Sequence, residues 1–541
     1  MSSSNSISRI VTIIAVSLGS HITYATPPNL FEIAKQLDIF NTLFKEVQLN
    51  FVDETNPAEL ITAAITEMMA TLDPYSVFMN EQDIEAARLR QETDQASIGA
   101  RYKIVEKGLV LTEIYKSGAA DMAGLKVGDV ITAIDNIEVK DYRGDLNNLL
   151  SGPNGSEVIL LYEHRANSHE VVLKRDNKTI SVVPVVELLE SGVGYTALTQ
   201  FDQKAAFELD QAIRSLQNKG ATGLILDLRG NPGGLLGQAI DIVNFFVPRG
   251  ELVVSTQSNL PSQNKVYVTK KDPIAEQLPV VILVNGRSAS ASEIVAGALQ
   301  DLDRAVVLGA RSFGKGLVQQ QKPLVYGTQF KITISRYFTP SGRCIQSLDY
   351  RNRDDNGEAT KRDETAFQSF TTKNGRPVFD GGGVLPDLLI PEESTPNILR
   401  TALEQGIIFE FISSISDLSD YLKDDKIMIS EGLFNQFLDW AQIKTPSEQV
   451  IKDLEESIHK DGLSPDMDYA LAQIKKNLNK AIRKQIISAK TSFKREMAYD
   501  IALRLFYKEG LFLYKIKNDP AIIEANKLLV NSNQYYKYLG H

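Results

Sequence analysis

The chain has 541 residues, which is too many for a single hydrophobic core, so we expect about two to four domains. Hydrophobic residues make up 43% and charged residues 23% of the sequence, as in ordinary soluble proteins, and the net charge of -10 argues against nucleic acid as the main partner. The single cysteine, Cys344, excludes an intramolecular disulfide, and without a CxxC motif or a histidine cluster the sequence predicts no metal site.

Residues 1–25 have the pattern of a signal peptide. Arg9 closes a polar start, the stretch 10–18 is mostly apolar, and small residues precede the expected cleavage point after Ala25. We therefore expect export, and the lack of disulfides favours a bacterial periplasm. An uncleaved, membrane-associated anchor is the alternative; no later segment reaches the roughly 20 apolar residues of a membrane helix.

Residues 26–96 form a predicted N-terminal helical segment. Apolar residues recur at helical spacing in LFEIAKQLDIFNTLFKEV and in ELITAAITEMMATL. The following stretch, LDPYSVFM, breaks the second helix at Pro74.

Residues 97–186 have short apolar runs separated by glycine turns, which predicts a β-domain. The stretch AGLKVGDVI within 119–136 resembles a PDZ domain. Such domains pair a peptide strand with a sheet edge and bind its terminal carboxylate through backbone N–H groups. The resemblance implies that role for Ser97, Ile98, Gly99 and Ala100. A β-domain without a ligand is the alternative.

Residues 187–395 alternate strands and helices, which predicts an α/β core. GLILDLRGNPGGLL reads as a buried strand that ends in a glycine-rich turn. The turn RGNPGG, residues 229–234, is not a nucleotide-binding loop, because the chain contains no GK[ST] tripeptide. The polar stretch 351–375 predicts a surface insertion.

Ser290 lies where a predicted strand, Val280 to Val284, gives way to a predicted helix that starts at Ala291. Unpaired N–H groups at a helix N-terminus can stabilise an oxyanion, so this is a suitable position for a nucleophile. A serine that only caps a helix is the alternative. No histidine lies between positions 170 and 458, because the five histidines are His21, His164, His169, His459 and His541.

Lys315 is the candidate base in the absence of a nearby histidine. It stands between Gly314 and Gly316, and burial would lower the pKa of its ammonium group toward the working range. Gln319, four residues later, would face the same way in a helix or a strand, so its amide could orient the amine. A solvated surface lysine is the alternative.

This segment resembles the carboxyl-terminal processing peptidases, also called tail-specific proteases. Their signature, SASASE followed by a lysine in GKG and then a glutamine, is complete here, and Lys315 stands 25 residues after Ser290. The resemblance implies a Ser290, Lys315 and Gln319 catalytic set, with Ser290 favoured over Ser288 and Ser292. It also implies a crotonase-like α/β core and an oxyanion hole formed by the N–H groups of Gly233 or Gly234 together with Ala291.

The resemblance extends from about residue 30 to residue 391. LDPYSVFM fits the family's N-terminal helical segment, and YFTPSGRCI and GGGVLPD match later features. From Pro396 onward, helical spacing predicts an α-helical C-terminal domain, residues 396–541, which packs on the core or mediates self-association into a homo-oligomer.

The sequence therefore predicts an α+β multidomain protein with N-terminal helices, a PDZ β-domain, an α/β peptidase core and a helical C-terminal domain. We expect a serine endopeptidase that needs no metal or organic cofactor and cleaves exported proteins with apolar or unstructured C-termini. A non-catalytic binding protein is the rival, since PDZ domains and related α/β folds also serve as binding modules. The complete catalytic set favours the enzyme.

Overall fold

The computed structural model of the protein describes residues 30–81, 83–84, 96–165, 167–178, 181–354, 357–391, 395–423, 426–460 and 465–541. The predicted signal peptide, residues 1–25, lies outside these residues.

The N-terminal segment contains the two predicted helices and a short strand: α1 Leu30–Asn50, α2 Pro57–Ala70 and β1 Val77–Met79. Helix α2 begins where the sequence suggests, because the Asn56 side chain accepts a hydrogen bond from Ala58 N and Pro57 occupies the first turn. Strand β1 pairs antiparallel with residues 329–331 of the α/β core. The segment is therefore joined to the core through a sheet.

The β-domain has one mixed-length antiparallel sheet and two short helices: β2 Ala100–Val105, β3 Gly108–Ile114, α3 Ala119–Met122, β4 Val130–Ile134, β5 Ile137–Glu138, α4 Leu146–Leu150, β6 Glu157–His164 and β7 Asn167–Lys174. The strand order is β2-β3-β4-β6-β7, with β5 beside β4. Its own buried core includes Ile98, Leu109 and Leu160.

The α/β core predicted over residues 187–395 is built on a six-stranded sheet in the order β21-β14-β13-β10-β9-β8. All neighbours are parallel except β8 and β9. The strands are β8 Val186–Leu188, β9 Val193–Ala197, β10 Gly223–Asp227, β13 Val280–Val284, β14 Val306–Gly309 and β21 Leu388–Leu389.

Helices cover both faces of this sheet, which explains why its central strands are apolar throughout. On one face lie α5 Ala205–Asn218, α6 Leu236–Val243 and α7 Ala291–Asp301. On the other lie α14 Pro520–Val530 and α15 Ser532–Tyr538, from the end of the chain. Alternate residues of β13 divide between the two cores: Ile282 belongs to the first, and Val281 and Leu283 belong to the second.

A second sheet in the core has the order β1-β16-β11-β12, with β15 also beside β16. Its core strands are β11 Leu252–Ser258, β12 Lys265–Val268, β15 Leu317–Pro323 and β16 Gln329–Phe338. The predicted surface insertion contributes to two short antiparallel pairs, β17 Leu348–Arg353 with β18 Ala359–Lys361 and β19 Ser369–Thr371 with β20 Pro377–Phe379.

The C-terminal region is helical, as predicted: α8 Asn397–Glu404, α9 Ile407–Ser414, α10 Glu431–Trp440, α11 Pro446–Lys460, α12 Pro465–Ser488 and α13 Lys490–Asn518, with a small hairpin of β22 Leu422–Lys423 and β23 Lys426–Ile427. Most of it has a separate core around Phe437 and Phe493. Helix α13 is interrupted at Tyr507, whose φ is 57°. Within the described ranges, no helix combines the length and apolar character needed to cross a bilayer.

Candidate active site

Ser290 stands at the junction of β13 and α7, as predicted. Its backbone has φ 54° and ψ -112°, a conformation that is costly for a residue with a Cβ atom and that tends to persist at functional sites. Its neighbours Ser288 and Ser292 are fully buried, and their hydroxyls donate to Leu228 O at 2.9 Å and Asn231 O at 3.0 Å. Ser290 is only half-buried, so of these three hydroxyls it is the one that a substrate could reach.

Glu293 links the turn at Ser290 to the loop at residues 312–315, called here the lysine loop. It occupies the third position of α7 and is fully buried. One carboxylate oxygen, Oε2, accepts hydrogen bonds from both Ser290 N and Lys315 N at 2.9 Å. The other, Oε1, accepts from Gly314 N at 2.7 Å and from the Ser312 hydroxyl at 2.5 Å. Burial raises the pKa of Glu293, and these hydrogen bonds oppose that rise.

Sequence reasoning assigned no role to Glu293, although a signal was present. A serine followed three residues later by glutamate at a helix start is the capping-box pattern, in which the glutamate side chain returns to the backbone N–H of the cap residue. The structure contains that hydrogen bond at Ser290. The additional hydrogen bonds to the loop at 312–315 could not be read from local spacing.

Lys315 is half-buried in the loop before β15. Burial lowers the pKa of its amine, the nearby charge of Lys331 lowers it further, and Asp73 and Glu293 act in the opposite direction. Its Nζ lies 4.0 Å from the ring centroid of Tyr75. In the part of the chain that the structure describes, no hydrogen bond joins Lys315 Nζ to the Ser290 hydroxyl; such contacts are often long before substrate binds.

Gln319 lies on β15, and a bulge between Val318 and Gln319 shifts the register against β16. Its side-chain amide donates to the Thr333 hydroxyl at 3.2 Å. Among the described residues, no hydrogen bond connects this amide with Lys315. The predicted orienting role therefore requires the amide to change partners.

The RGNPGG turn packs directly against the turn at residues 289–291. Gly233 has φ 97°, and a Cβ atom there would lie 2.7 Å from Ala289 O and 2.8 Å from Ala291 N, so only glycine fits. Gly233 N already donates to Asn231 Oδ1 at 2.9 Å. Within the described structure, no hydrogen bond uses the N–H groups of Gly234 or Ala291. This pair is therefore the available one for an oxyanion.

A buried ionic cluster anchors the start of the same turn. Arg229 donates to Asp227 at 2.7 Å and to Asp519, beside the last two helices, at 2.8 Å. Burial opposes ionisation of Asp227, but the Arg229 charge and several hydrogen bonds prevail and lower its pKa. The Tyr195 hydroxyl also donates to Asp227, at 2.9 Å. Sequence reasoning missed this cluster.

The predicted carboxylate-binding loop borders α3 of the β-domain. Ser97 N is engaged with Asp176 O at 3.0 Å, and the Ile98 side chain is buried in the domain core. Gly99 has φ 69°, and its N–H makes a long hydrogen bond of 3.4 Å to Ser97 Oγ. Ala100 begins β2. The terminal carboxylate of a peptide bound at this loop would therefore have to accept its hydrogen bonds from the N–H groups of the residues that follow Ser97.

Two of the histidines lie in the β-domain sheet. His164 Nδ1 is 2.6 Å from Asp129 Oδ1, and the His169 ring stacks on Tyr162 with centroids 5.4 Å apart. Over the described ranges, no group of three or more His, Cys, Asp or Glu side chains is arranged to hold a metal ion.

Three segments of the chain match known families. Residues 192–350 match peptidase family S41, residues 110–163 match the PDZ domain, and residues 398–529 match the family described as "Probable PDZ-protease, C-terminal helical domain".

Curated relatives come from several bacteria and a plant. A carboxy-terminal-processing protease of Bartonella bacilliformis is 34% identical over 319 residues, which are 58% of this chain and 73% of that protein. The carboxy-terminal processing protease CtpA of Bacillus subtilis is 32% identical over 316 residues, 57% of this chain and 66% of the relative. Among solved structures, the photosystem II D1 C-terminal processing protease is 26% identical and covers 67% of this chain and 95% of its own, with a TM-score of 0.36.

These matches define the class: a serine-type peptidase with a PDZ domain and a helical C-terminal domain. The chain belongs to the carboxy-terminal processing proteases of peptidase family S41, given its 34% identity across 73% of the Bartonella relative. The predicted family, fold class and type of enzyme are confirmed, and the rival of a non-catalytic binding protein is not supported. The roles of individual site residues stay predictions.

Proposed function

We propose that the protein is an exported serine endopeptidase that binds the C-terminal tail of protein substrates through its PDZ domain and cleaves that region with a serine–lysine mechanism. The pattern of residues 1–25 supports export to the periplasm, with membrane association as a variant of the same proposal. Self-association into a homo-oligomer is compatible with this function.

In the first half of the reaction, the Ser290 hydroxyl attacks the scissile carbonyl while neutral Lys315 accepts its proton. The oxyanion accepts hydrogen bonds from the backbone N–H groups of Gly234 and Ala291, with Gly233 fixing the turn that presents them. Lys315 then returns the proton to the leaving amine, which leaves an acyl group on Ser290. Gln319 exchanges its contact with Thr333 for one with the lysine amine and so orients it.

In the second half, a water molecule attacks the acyl carbonyl and Lys315 again accepts the proton. The proton passes to Ser290 as the acid product leaves, which restores the starting state. The reaction uses only groups of this chain, a peptide substrate and one water molecule.

The shared carboxylate of Glu293 is the observation that carries the proposal. One oxygen of Glu293 binds the backbone N–H of both Ser290 and Lys315. The buried Tyr337 hydroxyl also donates to Ser290 O at 3.3 Å and to Lys315 O at 2.7 Å, so two buried groups hold these loops together. A serine that only caps a helix would not need a hydrogen-bonded link to the loop of Lys315. A lysine without a catalytic role would not need a backbone link to a serine in a strained conformation.

Peptide cleavage by Ser290→Ala and Lys315→Ala tests the dyad. Both substitutions should reduce kcat by on the order of 10³ or more with little effect on folding, because nucleophile and base act as a unit. Ser292→Ala is the matched control: it removes a neighbouring hydroxyl of α7 that donates to Asn231 O, and it should retain most activity. Near-normal turnover by Lys315→Ala would reject lysine as the base.

The tail-binding role is tested with two peptides that differ only in a C-terminal carboxylate or carboxamide. The charged end forms stronger hydrogen bonds with loop N–H groups, so the acid should have the higher kcat/KM with intact enzyme. Apolar terminal residues should be preferred, because a strand added to a sheet edge places alternate side chains in a pocket. Equal kcat/KM for the two peptides would reject tail recognition and leave the dyad untouched.

A further inference from the structure

The turn between α2 and β1 presents an aromatic ring to the candidate base. Asp73, which is 6% exposed, shapes this turn by accepting hydrogen bonds from Tyr75 N and Ser76 N, each at 2.8 Å. The Ser76 hydroxyl accepts from Thr333 N of β16 at 3.2 Å. The turn is therefore fixed to the strand that also contacts Gln319 through Thr333.

The ring of Tyr75 lies against Lys315. The amine nitrogen is 4.0 Å from the ring centroid, within the range in which a cation is attracted by the electrons of an aromatic face. Tyr75 also contacts Tyr350 of β17, whose ring meets it edge-on at 6.1 Å between centroids. The two hydroxyls are 3.4 Å apart. Tyr75 is thus held in place independently of the lysine.

We propose that Tyr75 is a positioning residue for catalysis: its ring is the surface on which the amine of Lys315 rests whenever that amine carries a proton. This inference rests on the proposed role of Lys315 as the base. In this proposal Tyr75 takes no part in bond making or proton transfer and acts only through the lysine.

The reaction creates a need for such a surface. Lys315 must be neutral to accept the serine proton, and it becomes a cation in a partly buried site once it has done so. The charged groups around it are Lys331 of β16, Asp73 of the turn and Glu293 of α7, and burial and Lys331 disfavour the cation. The face of Tyr75 stabilises the cation without adding a permanent negative charge. An added negative charge would keep the lysine protonated, so that it could not act as a base.

The pH dependence of kcat/KM tests this proposal in the full-length enzyme. Removing the ring in Tyr75→Leu should destabilise the protonated amine, so its pKa falls and the acidic limb of the profile moves to lower pH by about 0.5 to 1.5 units. Replacing Tyr75 with 3,4,5-trifluorophenylalanine should move the limb in the same direction, because fluorine withdraws the electrons of the ring face while its shape is kept.

Two conservative variants provide the controls. Tyr75→Phe and Tyr350→Phe each remove one hydroxyl of the contact between the two tyrosines and keep the Tyr75 ring, so both should leave the limb in place. Burial and the hydrogen bond with Tyr75 raise the pKa of the Tyr350 hydroxyl, which keeps it neutral throughout the assay.

The trifluorophenylalanine variant decides the question even if Tyr75→Leu does not fold. An unmoved limb with the fluorinated ring, or a uniform loss of rate at every pH, would overturn the positioning role. Activity in Lys315→Ala would instead reject the proposed base itself, so the two failures are distinguishable.

Discussion

The last helices of the chain should be indispensable for the peptidase core. Helices α14 and α15 pack on one face of the central sheet, and Ile522, Leu528, Leu529 and Leu539 are at most 7% exposed there. Burying each such side chain contributes about 1.5–3 kcal/mol, so these four together contribute about 6–12 kcal/mol. That sum is comparable with the entire net stability of a typical domain, about 5–15 kcal/mol.

A chain that ends at Asn518 should therefore lack a cooperatively folded core. We expect loss of the urea unfolding transition and of peptidase activity together, because the truncation exposes the apolar face that includes Val281 and Leu283. It also removes Tyr535, whose hydroxyl accepts from Val280 N at 2.9 Å at the start of β13.

Point variants on α14 make the prediction quantitative. Leu528→Ala, at a buried position, should cost about 2–5 kcal/mol of unfolding free energy. Ile523→Ala on the same helix is the matched control; its side chain is 40% exposed, and the cost should be well below half of that. A truncated chain that unfolds at the same urea concentration as the full chain would refute the reasoning.

Three further outcomes follow from the site. Burial and Lys331 lower the pKa of Lys315. We therefore expect kcat/KM to fall on acidification, as the lysine protonates, and to persist into alkaline solution. Loss of activity on chemical modification of His164 would contradict this expectation. Glu293→Gln places an NH2 group against backbone N–H donors, and the resulting misplacement of Ser290 or Lys315 should lower kcat on the order of 10²-fold, measured with a peptide substrate beside wild type. Asp519→Asn keeps the cap of α14 but removes one carboxylate from Arg229, so the free energy of unfolding measured in urea should fall by about 1–2 kcal/mol. Asp519→Ala also removes the cap, so that free energy should fall by about 1 kcal/mol more.

The local elements were predictable because each depends on residues close in sequence. The all-apolar run of β13 predicted a strand buried on both faces, and the change of spacing after Ser290 predicted the start of α7; both are present. Helix α5, Ala205–Asn218, is likewise one of the helices of the predicted alternation of strands and helices over 187–395. Periodicity also predicted helices at the end of the chain but left open whether they pack on the core or mediate self-association; α14 and α15 pack on the central sheet.

The contacts that organise the site join distant parts of the sequence. Arg229 and Asp519 are 290 residues apart, and Tyr75 and Lys315 come from different segments. The local pattern marks a helix start at Asp519 and a turn at Tyr75, but it does not indicate which distant residue either side chain contacts. The sequence also did not indicate that the Asn231 side chain accepts the N–H of Gly233, which is the observation that favours Gly234 in the proposed oxyanion hole.

The packing of α13 limits how tail recognition can be tested. The Tyr507 hydroxyl of this helix donates to Asp121 of the β-domain at 2.7 Å, and Arg504 donates to Val127 O at 3.0 Å. The same helix ends at Asn518, next to the Asp519 that pairs with Arg229 at the RGNPGG turn. Deleting the β-domain would remove these partners of α13 together with the proposed peptide-binding loop. Any resulting shift of α13 would be passed to the RGNPGG turn through Asp519. A change in substrate, from carboxylate to carboxamide, alters only the proposed contact, so it separates recognition from the integrity of the catalytic centre.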